Sequence, residues 1–127
     1  MKNMIILFVM LLTVTACKKE GVLSSNIEDT LYLRNGGSDM PAFVRGNGQS
    51  KVFILVLHGG PGGNGLEYRT GSYAKQLEEK YAMVYWDQRH QGNSHGHLNK
   101  EDITIDAMVE DTYGMIKLLK QHYGQDI

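Results

Sequence analysis

The sequence has little cysteine, little proline and no excess of charge of either sign, and each absence excludes a class of protein. One cysteine cannot form an internal disulfide, so a disulfide-stabilised scaffold is excluded. Lys and Arg number 13 against 14 Asp and Glu, so no basic excess is present to bind nucleic acid. Two prolines exclude a proline-rich linker. With 42% apolar and 21% charged residues, the composition of the 127 residues is that of a globular domain.

The sequence also has no apolar run long enough to span a membrane. The unbroken run Met4–Leu12 is short beside the about 20 residues that a spanning helix needs. It follows a positively charged start and precedes Val14–Cys17, which resembles the lipobox of a bacterial lipoprotein signal peptide. We therefore expect residues 1–16 to be a signal peptide, and residues 17–26 to be a polar tether whose Cys17 carries lipid. This predicts an exported protein anchored to a bacterial membrane; the alternative is a cleaved signal with an incidental cysteine.

Residues 27–127 predict a partial domain of alternating strands and helices. Strands are expected at residues 29–34, 41–45, 52–57 and 82–86, and helices at 72–81 and 104–123. Pro41 predicts that the second strand lies near a sheet edge. The apolar run Val52–Leu57 lacks alternation, which is typical of a strand covered on both faces. This order of strands, loops and helices indicates an α/β fold.

The last predicted helix has the clearest pattern in the chain. Thr104 fits an N-cap, and Gly124 stands where a C-cap glycine is expected. Between them, apolar or small positions recur at spacings of three and four: Ile105, Met108, Val109, Thr112, Ile116, Leu119 and Tyr123. One face of this helix is therefore predicted to be buried.

Two glycine motifs match known functional patterns, one for dinucleotide binding and one for a nucleophilic serine, but the neighbouring sequence disfavours both functions. Gly60–Gly65 matches the dinucleotide fingerprint G-x-G-x-x-G, and Asp87 follows at the distance of a ribose-binding acid. Pro61 offers no N–H to a pyrophosphate and the next helix begins late, so an NAD(P)- or nucleotide-binding domain remains only an alternative. Gly92–Gly96 matches the nucleophile elbow G-x-S-x-G, but Ser94 lies far from the preceding strand and from the next helix.

A third motif, His58–Gly63 (HGGPGG), directly follows the apolar run. Acyl transfer creates an oxyanion that fixed N–H donors must meet, and glycines let the backbone approach it closely. Together with Asp87–Ser94 (DQRHQGNS), this motif resembles the HGGPGG and DQRGxGxS pair of the proline iminopeptidase branch (peptidase S33) of the α/β hydrolases. The resemblance implies a mostly parallel sheet flanked by helices. It also implies a serine hydrolase, with an aminopeptidase as one candidate, that acts on a small-molecule or peptide substrate.

The same resemblance implies roles for individual residues. Gly60 is expected to give the oxyanion-hole N–H, with Gly59 second. Loop-supporting roles are expected for His58, Pro61, Gly62, Asp87 and Arg89. A buried pair is expected between Asp87 and Arg89, or between these residues and the HGGPGG loop. His90 stands where the family has glycine, which costs conformational energy if φ is positive there.

Neither a cofactor nor a metal is predicted. The histidines at 90, 95 and 97 have a spacing that a metal could use, but we interpret them as part of a solvated loop.

In the implied fold, the strand after the last helix leads into the nucleophile serine, which would lie beyond Ile127. We therefore expect the N-terminal piece of a membrane-anchored hydrolase, which supplies half the oxyanion hole and lacks nucleophile, acid and base. Val52–Leu57 would keep one unpaired edge, so the chain alone is expected to be inactive and to aggregate. A non-catalytic binding lipoprotein is the alternative, and the sequence leaves the oligomeric state open.

Overall fold

A computed structural model describes residues 22–59, 62–96 and 99–124. The predictions of a signal peptide and of lipid on Cys17 lie outside these residues. Within them the chain forms β1 (Ile27–Asn35), β2 (Ser38–Gly46), β3 (Phe53–Val56), α1 (Gly71–Lys80), β4 (Ala82–Trp86), β5 (His95–Gly96) and α2 (Ile105–Tyr123). Each predicted strand and helix is present, with ends that differ by a few residues. Neither helix is long and apolar enough to cross a membrane.

The strands of the described residues form one mixed sheet. Their order is β1-β2-β4-β3, and β5 adds a short pairing with β2. β1 and β2 form an antiparallel hairpin that turns at Gly36 and Gly37, whose φ angles are 55° and 78°. β4 is antiparallel to β2 and parallel to β3. The prediction of a mostly parallel sheet is therefore wrong here, because only β3 and β4 are joined through a helix.

Pro41 lies in β2, which is next to the outer strand β1 and therefore near a sheet edge, as predicted, but is itself an interior strand. β2 pairs with β1 on one side and with β4 and β5 on the other. The Pro41 carbonyl accepts a hydrogen bond of 2.9 Å from Asp87 N, just where the β4 ladder ends at Ala42 and before β5 pairs at Asp39. The N–H and C=O of a strand residue point the same way, so the donor that proline lacks falls in the gap between β4 and β5.

The caps of α2 are as predicted, but its buried face is only partly so. Thr104 Oγ1 accepts from Ala107 N at 3.1 Å, and Gly124 ends the helix in the left-handed region with φ 64°. The buried stripe consists of Asp111, Met115, Leu119 and Tyr123. Ile105 and Val109, predicted on the buried face, are 81% and 61% exposed. The described part of the sheet covers only one flank of the helix, and these two side chains lie on the other.

The core forms between α2 and one face of the sheet. All five residues of β4 are buried, and Trp86 is the largest of them. At the far end of α2 the Tyr123 ring packs against Phe53 of β3, with ring centroids 4.8 Å apart. β4 is therefore the interior strand that positions the loops at its carboxyl end.

β3 is the last strand of the order on its side of the sheet. The prediction of an unpaired edge along Val52–Leu57 is therefore confirmed for the described residues. The prediction of burial on both faces is wrong, because only Phe53 is buried in β3 while Val52 and Leu57 beside it are 46% and 54% exposed. Among the described residues the strand pairs with β4 alone, and α2 covers it at Phe53.

Candidate functional site

Two loops meet at the carboxyl edge of the sheet. One runs from His58 to Gly65 after β3, and the other runs from Asp87 to Gly96 after β4. Since β3 and β4 are parallel neighbours, their carboxyl ends lie side by side, the place where open α/β sheets bind ligands. Gly60 and Pro61 lie outside the described residues, so their predicted roles stay predictions.

His58 anchors the start of the first loop. Its side chain is buried, and its Nε2 accepts a hydrogen bond from Gln88 N at 3.2 Å. The His58 carbonyl accepts a second one from Gln88 Nε2 at 2.6 Å. Because Nε2 accepts, the ring proton is on Nδ1, which is buried without a hydrogen-bond partner. The first contact occupies Nε2, and the two contacts together hold the loop in place.

Asp87 is fully buried and ties the two loops together. Its carboxylate accepts from Gly65 N at 2.7 Å, from Asn93 N at 2.7 Å and from Asn93 Nδ2 at 2.9 Å. Gly65 has to be glycine, because an added Cβ would lie 2.5 Å from Trp86 N. Three donors therefore satisfy this buried carboxylate inside the loops.

Gln91 and Ser94 shape the second loop. Gly62 N donates to Gln91 Oε1, which links the two loops again. The Ser94 hydroxyl donates to Gln91 O at 2.7 Å and accepts from Gln91 N at 2.9 Å. His90 adopts φ 59°, the left-handed conformation whose cost was anticipated for a residue that replaces glycine. Ser94 thus closes a turn and is not presented as a nucleophile on a strand-to-helix elbow.

Arg89 pairs with Asp111 of α2, and not with Asp87 as the sequence analysis allowed. Arg89 Nε and Nη2 each donate to the Asp111 carboxylate at 2.8 Å. Asn35 Nδ2, at the end of β1, donates to the same carboxylate at 2.7 Å. The hydrogen bonds to Asp111 raise the pKa of Arg89 further above its ordinary value.

Neither Asp111 nor Asn35 was among the site residues predicted from the sequence. A signal for Asp111 was present, because this acid lies in phase with the buried Met115, Leu119 and Tyr123 of α2. A carboxylate on an apolar helix face needs a partner, and the only cation in the two loop motifs is Arg89.

Gly59 leaves its backbone open at this edge. It follows the buried His58, it is exposed, and an added Cβ would meet no atom within 4 Å. Within the described ranges no group accepts a hydrogen bond from its N–H. A free N–H on an anchored loop is what a developing oxyanion requires.

The geometry opposes the alternative of a nucleotide-binding domain. The Asp87 carboxylate is buried and already occupied, so it is not free to accept from a ribose hydroxyl. A short 3-10 turn at 65–68 follows the glycines, and α1 begins only at Gly71. The dinucleotide fingerprint requires a helix that begins directly at the glycine loop, and the N-terminus of α1 does not.

The loop histidines form no metal site in the described part of the chain. His95 Nε2 lies 3.6 Å from Oδ2 of Asp39, the residue opposite it in the pairing of β5 with β2. Residue 97 lies outside the described residues. No group of three or more His, Cys, Asp or Glu side chains that could hold a metal occurs in residues 22–59, 62–96 and 99–124.

Comparison with known proteins relates the chain to hydrolases. No protein-family model matches it. It is 30% identical over 91 residues to the probable aminopeptidase YbaC of Bacillus subtilis (strain 168), a match covering 71% of this chain and 28% of that protein. The crystal structure of the proline iminopeptidase-related protein TTHA1809 from Thermus thermophilus matches with a TM-score of 0.62 and 32% identity, over 73% of this chain and 32% of that one. The chain spans about a third of the length of each relative. Both similarities are to proteins whose names indicate hydrolases.

Proposed function

We propose that this chain is the N-terminal part of a serine hydrolase of the proline iminopeptidase-like branch (peptidase S33), and that it supplies half of an oxyanion hole for acyl transfer. The observation that carries the proposal is the open N–H of Gly59 on a loop anchored at His58. The relatives named aminopeptidase and proline iminopeptidase-related support the same chemistry.

The anchored loop suits an oxyanion because its donors do not have to reorganise during the reaction. Three hydrogen bonds hold the loop: Gln88 N donates to His58, Gly62 N donates to Gln91, and Gly65 N donates to Asp87. We assign the oxyanion contact first to the N–H of Gly60, which lies outside the described residues, and second to the N–H of Gly59. In α/β hydrolases the second donor is the N–H after the nucleophile. Nucleophile, acid and base are proposed to belong to the part of the hydrolase outside this chain.

The free edge of β3 supports the proposal. The nucleophile strand of this fold runs beside the strand that ends in the oxyanion loop, which here is β3. That strand would pair with the apolar edge between Val52 and Leu57 and cover side chains that are now exposed. The nucleophile would then arrive next to the loop that begins at His58.

The substrate class follows from the names of the relatives. We propose a peptide or another small acyl compound, with release of an N-terminal residue as the leading reaction. The test is hydrolysis by the complete gene product of prolyl- and alanyl-p-nitroanilide, with p-nitrophenyl acetate as an ester. Hydrolysis of the aminoacyl substrates supports an aminopeptidase, ester hydrolysis alone supports another acyl hydrolase, and no hydrolysis supports a non-catalytic binding protein.

The oxyanion role is tested by removing one donor. In the complete gene product, Gly60→Pro deletes the proposed N–H and should lower kcat by about 10²–10³-fold. Gly60→Ala keeps the N–H and should lower kcat much less. An unchanged kcat in a folded Gly60→Pro protein would refute the assignment of this donor to Gly60.

We also propose that the hydrolase is exported and held on a bacterial membrane by lipid on Cys17. The support is the sequence pattern of an apolar run followed by Val14–Cys17. Several acyl chains anchor a protein firmly, at about 0.8 kcal/mol for each buried CH₂. Cys17→Ser should move the protein from the membrane fraction or leave the precursor unprocessed. A wild-type protein that takes up no palmitate analogue in metabolic labelling would refute the proposal.

A further inference from the structure

We infer that Asp111 is a positioning residue for the oxyanion loop, acting through Arg89 and the loop that follows β4. The inference rests on the proposed function for its catalytic meaning. Asp111 lies on α2 and belongs to neither glycine motif, yet its carboxylate holds the one arginine of the second motif. We call Asn35, Arg89 and Asp111 the clamp.

The clamp is buried and directional. The side chains of Arg89 and Asp111 are 7% and 1% exposed. The two parallel hydrogen bonds of 2.8 Å fix the plane of the guanidinium as well as its distance. Asn35 holds Oδ1 of the same carboxylate, so α2, the end of β1 and the loop after β4 are joined at one point. A buried ion pair adds little net stability compared with apolar side chains, so its distinctive contribution is this orientation.

The β1–β2 turn limits the guanidinium from another side. A Cβ added at Gly36 would lie 3.0 Å from Arg89 Nη1, so the arginine packs directly on the turn. Gly36 also has φ 55°, which favours glycine. Arg89 is therefore held by Asp111 of α2 and by the β1–β2 turn, both of which lie outside the two loops, while Asn35 holds the Asp111 carboxylate.

From Arg89 the contacts lead straight to the oxyanion loop. Its neighbour Gln88 holds His58 through two hydrogen bonds. Gln91, two residues after Arg89, accepts from Gly62 N. Asp87, two residues before Arg89, accepts from Gly65 N. Among the described residues, the side-chain hydrogen bonds that hold the first loop at His58, Gly62 and Gly65 all come from this segment of the second loop, and Glu67 of the following turn adds contacts only at Asn64. If Arg89 loses its orientation, the support of the first loop shifts with it.

The test uses Asp111→Asn in the complete gene product, with Asp106→Asn as the matched control on the exposed side of α2. Misplacement of a reacting group by about 1 Å can lower a rate by about 10²-fold. We expect Asp111→Asn to lower kcat by about that factor with little change in KM. Hydrogen exchange at the Gly62 and Gly65 amides should become at least about tenfold faster, while the β2 and β4 amides keep their protection. Asp106→Asn should change neither.

An equal rise of exchange at all amides, or unchanged exchange at Gly62 and Gly65, would overturn the inference. If Asp111→Asn does not fold, the double variant Arg89→Met with Asp111→Leu replaces the ion pair by apolar side chains of similar size. We expect it to fold but to keep the fast loop exchange and the low kcat. Recovery of both would show that the clamp only stabilises the fold.

The exchange measurement separates this inference from the proposed function. A wild-type protein without hydrolase activity contradicts the proposed function alone. Selective loss of loop protection in Asp111→Asn would still show that the clamp positions the loop.

Discussion

The two outer strands of the sheet are built differently. β1 spans Ile27–Asn35, and its exposed positions are Glu28, Thr30, Tyr32 and Arg34. β3 spans Phe53–Val56 and contains no polar residue. Native sheets protect their edges with charges, and an apolar edge without them pairs with other strands. β1 thus has the sequence of a true sheet edge, whereas β3 has the sequence of an interior strand.

The flanks of α2 repeat this difference. On the side of β1 the helix packs closely, since a Cβ added at Gly114 would lie 3.2 Å from Leu33 Cδ1. On the side of β3 only the last turn is covered, where Tyr123 meets Phe53. Ile105 and Val109 remain exposed. Among the described residues, sheet and helix are therefore covered towards β1 and exposed towards β3.

The largest effect is expected from residues 18–127 expressed alone without lipid. The β3 edge and the exposed flank of α2 then have no cover, so we expect aggregation or a molten state and no ester or peptide hydrolysis above background. Size-exclusion chromatography and thermal unfolding measure this directly. A monodisperse monomer with a cooperative transition would show that the β3 edge needs no partner.

A lysine placed on each outer strand distinguishes the two edges. Ile54→Lys buries an unpaired charge if β3 is an interior strand of the complete gene product, and should lower its free energy of unfolding by about 3–5 kcal/mol. Thr30→Lys adds the same side chain to β1 and should change it by less than about 0.5 kcal/mol. Urea unfolding of both variants is the measurement. Equal effects would mean that β1 and β3 are edges of the same kind.

Two glycines of the oxyanion loop contrast a closed position with an open one. Gly65→Ala would place Cβ 2.5 Å from Trp86 N, backbone that cannot move aside, and should cost about 1–3 kcal/mol of stability. Gly59→Ala meets no atom within 4 Å and should leave stability unchanged. The denaturant midpoints of the two variants, compared with that of the wild type, measure these losses of stability. A larger loss for Gly59→Ala would place that residue in a packed environment.

The smallest effect concerns Glu78 of α1, which holds the sheet from the other face. Its carboxylate accepts from Arg69 at 2.7 Å and from Tyr85 of β4 at 3.0 Å. The hydrogen bond from Arg69 is the main cause that lowers the pKa of Glu78. A lowered folded pKa gives stability that is present at neutral pH and is lost as the pH falls below about 4.

Glu78→Gln should therefore cost about 1 kcal/mol or less at pH 7, since Arg69 is partly exposed, and should flatten the acid limb of the stability curve. Glu79→Gln, the exposed neighbour, is the control. If Glu78→Gln and wild type lose stability identically as the pH falls, the Glu78 carboxylate does not contribute to the free energy of unfolding.

Local patterns predict much of this fold. The caps Thr104 and Gly124 directly flank α2 and form hydrogen bonds only with the backbone of nearby residues. They can therefore be predicted from the local sequence. The apolar run of β4 and the two loop motifs likewise predict a strand pair whose carboxyl ends carry the site. Such features depend on residues that are close in the chain.

The features that the sequence analysis missed depend on distant partners. Asp111 meets Arg89 across 22 residues and Asn35 across 76, and no local pattern specifies those contacts. Pro41 fits an interior strand because two neighbouring strands leave a gap beside it. Which flank of α2 is covered depends likewise on where the sheet ends.

Labelling of the complete gene product with a fluorophosphonate, followed by peptide mapping, tests the proposed hydrolase most directly. The reagent modifies a serine that an adjacent base has activated. We predict one modified serine, within a G-x-S-x-G segment that follows Ile127, and no modification of Ser94, whose hydroxyl closes a turn with Gln91. Modification of Ser94, or a complete product that carries no reactive serine, would contradict the assignment of this chain to the oxyanion half of a serine hydrolase.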